Sequence, residues 1–495
     1  MNPSVDFHAI APEIVLTAAI LVVLVADLIW PERSRFTSSR IASIGVLAAL
    51  VPVITLAADG SQLPRDLFGG AFVVDNYALA LEGFFLVVAY VSLLMSADYI
   101  SEGDYYQGEF YFLLLTSVLG MLVMASSRDL VSIFVALETI TIPTFVLAGW
   151  RKHDEGSNEA AIKYFLIGVL STAIMLYGMS LVYGETGSTL LSDISHYISA
   201  PGRETTPLFA VAIFLTLGGF AFKVSAVPFH FWVPDTYQGA PTPVTAFLSV
   251  ASKAGGFVAM LSVVAFGFFP SPDSWQPALW ILAAASMIYG NLVALRQTNI
   301  VRMLAYSSIA QGGFILVPLA VAGDNQAAVA SFEAVVIYIL IYGAMNLGAF
   351  AVVIAVARRT RSGEIESYAG LGQTSPGLAL AMTLFLLSLA GIPPTAGWFA
   401  KFVMFRAVFD ANTPSAIVLG VIAAVASVIA FFYYAAVARE MWFHDPAPEY
   451  ADVTPSRTVP AALTLAIGLT AAVVVVVGIY PQFFARIGEL AFPVT

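Results

Sequence analysis

The segment VTAFLSVASKAGGFVAMLSVV (Val244–Val264) contains a single charged side chain, Lys253, in an otherwise uncharged stretch. Between Asp235 and Asp273 there are 17 uncharged residues before this lysine and 19 after it. A helix of this length crosses a hydrocarbon core of about 30 Å. A lysine at the bilayer centre costs roughly 2.5–3.5 kcal/mol on insertion scales. The segment therefore predicts a membrane-spanning helix whose lysine needs a specific explanation.

The composition of the whole chain agrees with a membrane protein. Of its 495 residues, 59% are hydrophobic and 11% are charged, against about 25% charged in soluble domains. Apolar runs of about 20 residues follow one another, and they lack the alternation of a β-barrel. We therefore predict an all-α polytopic membrane protein with about fourteen transmembrane helices. They are expected to begin near Ile10, Ile41, Val74, Phe110, Asp129, Ala160, Leu208, Pro243, Pro277, Asn299, Ala327, Gly377, Pro414 and Pro460.

Several classes of function are disfavoured by what the sequence lacks. There is no cysteine, so disulfides, thiolate metal sites and cysteine-ligated iron–sulfur clusters are not expected. The five histidines have no zinc or haem spacing, and no nucleotide-binding glycine loop is present. The net charge of −11 implies no nucleic-acid partner. The first 30 residues lack a basic region and a cleavage site, which predicts a retained first helix.

The distribution of basic residues predicts an orientation. Loops on one side of the predicted membrane hold 13 Lys and Arg residues, and loops on the other side hold four. Because positive loops stay in the cytoplasm, both termini are expected on the outer side. Three of only five lysines, Lys223, Lys253 and Lys401, lie inside predicted spans. Arginine stays protonated in proteins, whereas a buried lysine can release its proton, so these lysines are candidate proton carriers.

Glu138, Lys223 and Lys253 form the first set of candidate site residues. Lys253 lies ten residues after Pro243, about 15 Å into its helix, where snorkelling to an interface has little reach. A purely structural partner for a carboxylate or carbonyl is the alternative. Glu138 is also near mid-span, and a buried carboxylate and ammonium favour pairing. Glu138 and Lys223 are therefore predicted to form a pair that switches, or else a permanent structural ion pair.

Lys401 and Lys223 each lie beside a proline interruption. KVSAVPFHFWVP and AGIPPTAGWFAK both contain small residues and proline next to a lysine, and the lysines are 178 residues apart. Such breaks are tolerated in a membrane where the freed backbone is buried or lines a hydrated cavity. Paired broken helices predict two inverted repeats with a midplane site. A simple proline kink at the second break is the alternative.

His230 and Lys163 are weaker candidates. His230 adjoins the first break and would titrate near neutral pH, but a histidine at a helix end is as often a satisfied hydrogen bonder. Lys163 begins the sixth span near the predicted cytoplasmic face. It is either a proton-uptake residue or a product of the positive-inside bias.

Taken in order, several motifs resemble the antiporter-like membrane subunits of respiratory complex I, the NADH–quinone oxidoreductase. They are SRDLVSIFVALE, SNEAAIKYFLIG, FKVSAVPFHFWVPDTYQGAPTPVTAFLSVASK, NIVRMLAYSSIAQGGF and LSLAGIPPTAGWFAKF. The resemblance covers nearly the whole chain, although the residues just after Glu138 depart from the usual pattern. It implies N-terminal helices 1–3 in residues 1–105 and a first five-helix repeat in 106–270. A second repeat in 271–445, with helices 7 and 12 broken, and a fourteenth helix in 446–495 complete the chain.

The resemblance also implies a function. Glu138, Lys223, Lys253 and Lys401 match a mid-membrane axis for proton transfer that is driven by quinone reduction elsewhere in the complex. NADH, FMN, iron–sulfur clusters and quinone are expected in other subunits, with no cofactor or metal in this chain. Partners are then the other membrane and peripheral subunits, in a bacterial inner membrane. A subunit of a multi-subunit sodium/proton antiporter is the main alternative, and a structural membrane spacer is a weaker one.

Overall fold

The fold is built from helices that run one after another along the chain. The structure is a computed structural model, and it describes residues 6–29, 36–60, 63–103, 107–202, 205–323, 325–446 and 458–491. Across these residues one small antiparallel hairpin, β1 (Arg65–Leu67) and β2 (Phe72–Val74), is the only sheet. The predicted all-α class is therefore confirmed.

The first half of the chain includes a helix that is interrupted near position 224. Its helices are α1 (Ala11–Ile29), α2 (Thr37–Ala58), α3 (Asn76–Glu102), α4 (Gln107–Ser126), α5 (Leu130–Ala148), α6 (Glu155–Thr186), α7 (Leu191–Ile198), α8 (Pro207–Lys223), α9 (Trp232–Gly239) and α10 (Thr242–Phe268).

The second half includes a similar interruption near position 391. Its helices of more than eight residues are α11 (Pro272–Ala294), α12 (Ile300–Val321), α13 (Asn325–Thr360), α14 (Pro376–Ala390), α15 (Ala396–Ala411), α16 (Pro414–Phe443), α17 (Ala461–Ile479) and α18 (Gln482–Ala491).

The number of membrane spans agrees with the sequence. Within the described ranges, twelve helices are long and apolar enough to cross a membrane, and α8 and α14 are shorter apolar helices. Each of the fourteen predicted spans corresponds to one of these helices. The two short helices are the ones predicted to be broken, because each stops at a turn before a proline.

Both breaks end their helix in the same way. Ser225 after α8 and Gly391 after α14 have positive φ values of 63° and 88°. In each case the next amide, that of Ala226 or Ile392, donates back to the carbonyl five residues earlier, at 2.8 and 3.0 Å. This is the Schellman arrangement, which satisfies carbonyl groups that a helix end leaves free. The chain can therefore stop a helix inside the membrane without leaving those carbonyls unpaired.

A second shared pattern supports two repeats of one design. Asp129 caps α5, and Asn299 caps α12, each by accepting from the amides two and three residues ahead. The amide after each cap donates to a distant carbonyl, that of Thr189 or Gly363, at 2.9 and 2.8 Å. The turns holding those carbonyls follow α6 and α13, so the same connection occurs once in each half. The predicted repeat boundaries themselves remain a prediction, and the one at 105–106 lies outside the described residues.

The middle of the molecule consists of α10, α12 and α13. Every residue in the apolar window of α10 and of α12 is buried, and nearly every one in that of α13. The windows of α1, α6, α16 and α17 are at most one-third buried and so form the outer layer. A polar group in α10 or α12 is therefore surrounded by protein and not by lipid.

Some elements shorter than a span were not predicted, and three of them are notable. The segment between the sixth and seventh predicted spans contains α7, whose Leu191 and Ile194 are buried. The hairpin β1–β2 follows α2, and the amphipathic α18 follows the last span. All three are shorter than a span, so the apolar runs that reveal membrane helices do not reveal them.

The orientation in the membrane stays a prediction. Four of the arginines counted in the predicted loops lie outside the described residues: Arg33, Arg35, Arg203 and Arg457.

The close packing of α14 on α15 gives a stability prediction. A Cβ added at Gly397 would lie 1.7 Å from the backbone carbonyl oxygen of Ser388, which cannot move cheaply. We expect Gly397→Ala to destabilise the fold by roughly 1–3 kcal/mol or more and to lower the midpoint of thermal unfolding. Gly468→Ala is the matched control, because a Cβ there meets no atom within 4 Å. Equal unfolding midpoints for the two variants would contradict the packing argued here.

Candidate functional site

Lys253 lies in the middle of α10 and only 2% of it is exposed. Its Nζ donates to the carbonyl oxygen and to the hydroxyl of Ser308 in α12, at 2.9 and 3.0 Å. Within the described part of the chain no carboxylate lies within 4.0 Å of it. The lysine is therefore held by neutral oxygens, which accept from an ammonium and also tolerate an amine.

The helix around Lys253 is irregular. Leu248–Ser252 and Val263–Phe268 are wound as π-helix on either side of the regular segment that begins at the lysine. Such segments shift the register of the side chains and are frequent at functional sites. One turn before the lysine, the Ser249 hydroxyl accepts from the Asn346 amide of α13 at 2.7 Å. Polar groups of both neighbouring helices thus meet this part of α10.

Lys223 is the last residue of α8 and is also 2% exposed. Its Nζ donates to the hydroxyl oxygens of Thr141 and Tyr164, at 2.7 and 3.2 Å. A cation at a helix C-terminus is favoured by the helix dipole. The stem of the lysine packs on Gly256, where an added Cβ would lie 2.8 Å from Lys223 Cγ. Since Gly256 is three residues after Lys253, the two lysines belong to neighbouring turns of packed helices.

Glu138 does not form the predicted ion pair with Lys223 in this structure. Its carboxylate is half-buried and accepts from the Thr172 hydroxyl of α6 at 2.9 Å. No ion pair within 4.0 Å joins it to any cation of the described chain. Thr141, which holds Lys223, is three residues further along α5 and so lies one turn away. The Lys223 ammonium therefore contacts α5 one turn beyond Glu138, at Thr141, and not at the carboxylate itself.

Lys401 lies in α15, beyond the second break. It is 6% exposed, and its Nζ donates to the carbonyl oxygen of Ala390, the last residue of α14, at 2.7 Å. The ring of Phe314 lies 4.9 Å from the same nitrogen. A Cβ at Gly391 would lie 2.6 Å from Lys401 Cδ. The missing side chain at Gly391 therefore leaves room for the lysine against the broken helix end.

Polar side chains occupy the space between Lys253 and Lys401. On α12, Ser307 shares a hydrogen bond of 2.5 Å with Tyr434, and Gln311 accepts from Tyr338 at 2.8 Å. Gln311 also donates to the carbonyl of Leu389 at 3.0 Å, next to the group that holds Lys401. Ser307 and Ser308 are consecutive, so this set extends from the partner of Lys253 to the end of α14.

Sequence reasoning missed most of these partners. Ser308, Thr141 and Gln311 are neutral residues in apolar spans, and serine and threonine often bond only to their own helix. The available signal is the run YSSIAQ in α12, where three polar side chains share one face of a span at i, i+1 and i+4. The charged residues were found because charge is rare in a membrane, whereas hydroxyl groups are common there.

Lys163 and His230 lie at the edge of this set. The Lys163 ammonium forms ion pairs with Asp235 at 2.7 Å and with Glu159 at 2.5 Å. Arg302 reaches the other oxygen of Asp235 at 2.9 Å. His230 is buried, and its ring packs edge-on against Tyr289 with centroids 4.5 Å apart. Lys163 is thus engaged by carboxylates, unlike the three buried lysines.

Comparison with known proteins identifies the class. Residues 127–427 match the family described as NADH:quinone oxidoreductase/Mrp antiporter, TM. The chain is 38% identical to NADH-quinone oxidoreductase subunit N of Trichlorobacter lovleyi, covering 99% of this chain and 97% of that protein. It is 40% identical to the subunit N of Desulforamulus reducens, covering 98% of each. NAD(P)H-quinone oxidoreductase subunit 2 of a Synechococcus species is 41% identical, covering 90% of this chain and 82% of that protein.

Solved structures agree with the sequence comparison. A chain of respiratory complex I from Thermus thermophilus with bound aureothin has a TM-score of 0.77 and 31% identity, covering 96% of this chain and 98% of that one. A chain of the Mrp complex from a Dietzia species has a TM-score of 0.85 at 20% identity, covering 98% and 97%, and shares the fold. The fold and the buried lysines thus define an antiporter-like membrane subunit. The chain belongs to the subunit N family of the NADH-quinone oxidoreductases.

The threonine that holds Lys223 can be tested separately from the lysine. Thr141→Val keeps the shape of the side chain and removes the acceptor, and a hydrogen bond to a charged group contributes about 1.5–3 kcal/mol. We expect the rate of coupled proton pumping to fall by roughly tenfold or more. Thr139→Val on the same helix is the control, since among the described residues the Thr139 hydroxyl donates only to the Val135 carbonyl, one turn earlier in α5, at 2.8 Å. Comparable pumping rates in the two variants would refute the role of Thr141.

Proposed function

We infer that this chain is a proton-translocating membrane subunit of an NADH-quinone oxidoreductase. The observation that supports it best is the set of three buried lysines held by neutral oxygens, with hydroxyl and amide groups between two of them. A permanently charged structural lysine would be expected to pair with a carboxylate, because an isolated buried charge is costly. Neutral partners suit a group that gains and loses a proton.

The role of each residue is as follows. Lys223 and Lys253 exchange a proton through internal water across the contact between α8 and α10. Lys401 receives it at the far end, through the polar groups around Ser307 and Gln311. Glu138 favours the protonated form of Lys223 when it approaches the lysine and favours release when it withdraws. The arrangement described above is then the withdrawn state.

The energies have the right size for this mechanism. Two opposite unit charges 4 Å apart attract by about 4 kcal/mol at an effective dielectric constant of 20, and by about half of that at 8 Å. Moving one charge across 100 mV requires about 2.3 kcal/mol. Making and breaking one ion pair therefore supplies a free energy comparable with that of moving one proton against a membrane potential.

The redox chemistry belongs to other subunits in this proposal. The chain has no cysteine to ligate an iron–sulfur cluster. In the described residues no group of three or more His, Asp and Glu side chains could hold a metal ion. NADH, FMN, the iron–sulfur clusters and quinone are assigned to partner subunits, whose redox energy drives the lysine axis. The multi-span chain resides in a membrane, which we assign to the bacterial inner membrane with both termini outside.

His230 and Lys163 receive different roles in this proposal. The Lys163–Asp235–Arg302 cluster joins the start of α6 to α9 and α12, which makes it a structural clamp next to the first break. His230 is buried two residues before α9 begins and is the candidate for proton uptake towards Lys223.

The repeats are assigned to residues 106–270 and 271–445, with 1–105 and 446–495 as additions.

A subunit of a sodium/proton antiporter is the second candidate, since the Mrp complex chain shares this fold. The higher identity to complex I relatives favours the oxidoreductase. Copurification of peripheral flavin and iron–sulfur subunits with the chain would support the oxidoreductase. Flux by the purified chain in response to a sodium gradient alone would support the antiporter.

Removing the central ammonium tests the proposal most directly. Lys253→Met keeps the length of the side chain and removes the proton carrier. In the intact complex we expect pumping and coupled quinone reduction to fall roughly a hundredfold or more, while assembly on native gels is unchanged. Lys152→Met, in an exposed loop, is the control. Pumping at the control rate by the Lys253 variant would rule out the axis.

Charge and proton release can be separated at Lys223. Lys223→Arg retains a cation that can donate hydrogen bonds to the hydroxyl oxygens of Thr141 and Tyr164. Arginine, however, does not release its proton in a protein site. We expect a stably assembled complex with pumping reduced roughly a hundredfold. Lys152→Arg is the matched control. If Lys223→Arg pumps normally, the residue acts only as a fixed charge, and the switching role is wrong.

A further inference from the structure

The hydrogen bonds of Lys253 lead no further than Ser308 and its own helix. Lys253 Nζ donates to the carbonyl oxygen and to the hydroxyl of Ser308, at 2.9 and 3.0 Å. The Ser308 hydroxyl in turn donates its hydrogen to the Ala305 carbonyl at 2.8 Å, and a carbonyl cannot pass a proton on. An ammonium group has three hydrogens, so one of them has no acceptor among the described residues. A lysine that exchanges its proton needs a further group at that position.

The packing of α13 on α10 brings Tyr342 level with Lys253. The Asn346 amide of α13 donates to the Ser249 hydroxyl of α10 at 2.7 Å. Because α13 is the third span after α10, the two helices run in opposite directions. Lys253 is about one turn after Ser249. Tyr342 is about one turn before Asn346 and on the same face of α13, so it lies at the depth of the lysine.

The packing of α13 on α12 leads to the same residue. The Tyr338 hydroxyl of α13 donates to Gln311 of α12 at 2.8 Å, and these helices are consecutive spans that run antiparallel. Ser308 is one turn before Gln311, and Tyr342 is one turn after Tyr338. Tyr342 therefore lies level with the contact between Ser308 and Lys253. In agreement with this placement, the Ser308 hydroxyl is among the groups that act electrostatically on the Tyr342 hydroxyl.

Two polar atoms of α13 at this level have no partner in the part of the chain that the structure describes. They are the hydroxyl oxygen of Tyr342 and the amide Oδ1 of Asn346, and both residues are buried. The Ser249 hydroxyl donates to the Ala246 carbonyl at 2.8 Å, so it has to accept from the amide nitrogen of Asn346 and not from the oxygen. With the third hydrogen of Lys253 they make three unsatisfied groups. A buried water typically bonds about three such groups.

We propose that Tyr342 and Asn346 bind a water molecule against Lys253, and that Tyr342 positions this water for proton exchange with the lysine. The water accepts from the ammonium and donates to the Tyr342 hydroxyl and to Asn346 Oδ1. On release, a proton passes from Nζ to the water, which gives one up to the internal water between the lysines.

The tyrosine suits both protonation states of the lysine. Once Lys253 is a neutral amine, the water donates to it, and the Tyr342 hydroxyl turns to donate to the water. A hydroxyl can accept and donate, whereas the Asn346 oxygen only accepts. This role of Tyr342 rests on the proposed proton translocation and names the group with which the central lysine exchanges its proton.

Tyr342→Phe removes only the hydroxyl and is tested in the intact complex reconstituted in vesicles. Since the water loses one of its partners, we expect normal assembly with pumping reduced roughly tenfold or more. The solvent deuterium isotope effect on pumping should rise, because proton transfer then limits the rate. Tyr111→Phe is the matched control, as this buried tyrosine of α4 also has a hydroxyl without a partner among the described residues. An isotope effect equal to that of the control would overturn the role of Tyr342, whatever the rate.

Asn346→Leu tests whether both residues hold the same water. If they do, the double variant with Tyr342→Phe pumps no more slowly than the slower single variant. Losses that multiply would show independent effects and contradict a shared water.

A density map of the native complex tests the site without any variant. It should contain a water within about 3.2 Å of both Lys253 Nζ and the Tyr342 hydroxyl oxygen. Absence of that water overturns the site even if every variant fails to assemble. Normal pumping by Lys253→Met would defeat the proposed function itself, whereas its failure beside normal pumping by Tyr342→Phe would defeat only the role of Tyr342.

Discussion

A lysine amino group that must be held inside a membrane, with no carboxylate within 4.0 Å of it among the described residues, is the constraint on which the rest of the structure depends. Lys253 meets it with the carbonyl and hydroxyl oxygens of one residue, Ser308. This requires α12 to lie directly against α10 and both helices to be shielded from lipid. The burial of α10, α12 and α13, and the outer layer of less buried helices, follow from that requirement.

The broken helices meet the same constraint in another way. Lys223 ends α8, and Lys401 donates to the last carbonyl of α14. Both therefore lie where a helix C-terminus offers negative partial charge at mid-membrane depth. Carbonyl groups inside a continuous helix are already bonded to the amide four residues on, whereas the last carbonyls of a helix lack that partner. The Schellman turns at Ser225 and Gly391 satisfy some of the last carbonyl groups of each helix. The remaining carbonyl groups at the helix end stay free to accept from a cation.

The fold was largely predictable from the sequence, and the site was predictable in part. Apolar runs determine the fourteen spans, and proline with small residues marks both breaks. Glycine readily adopts a positive φ, so the conformation of Gly391 was predictable. Serine rarely does, so the positive φ of Ser225 was not. The charged residues stand out because they are rare in spans. Their partners do not, since Ser308 and Thr141 look like ordinary helix hydroxyls. The direct Glu138–Lys223 pair was expected from charge alone, and Thr172 and Thr141 instead hold the two groups apart.

The partial exposure of Glu138 has a consequence for the chain as a molecule. The residue lies in the middle of a span, beside α6, a helix whose apolar window is only one-third buried. Polar side chains at that depth are costly when they face acyl chains. The outer surface of α5 and α6 beside Glu138 is therefore better suited to contact a neighbouring subunit than to contact lipid.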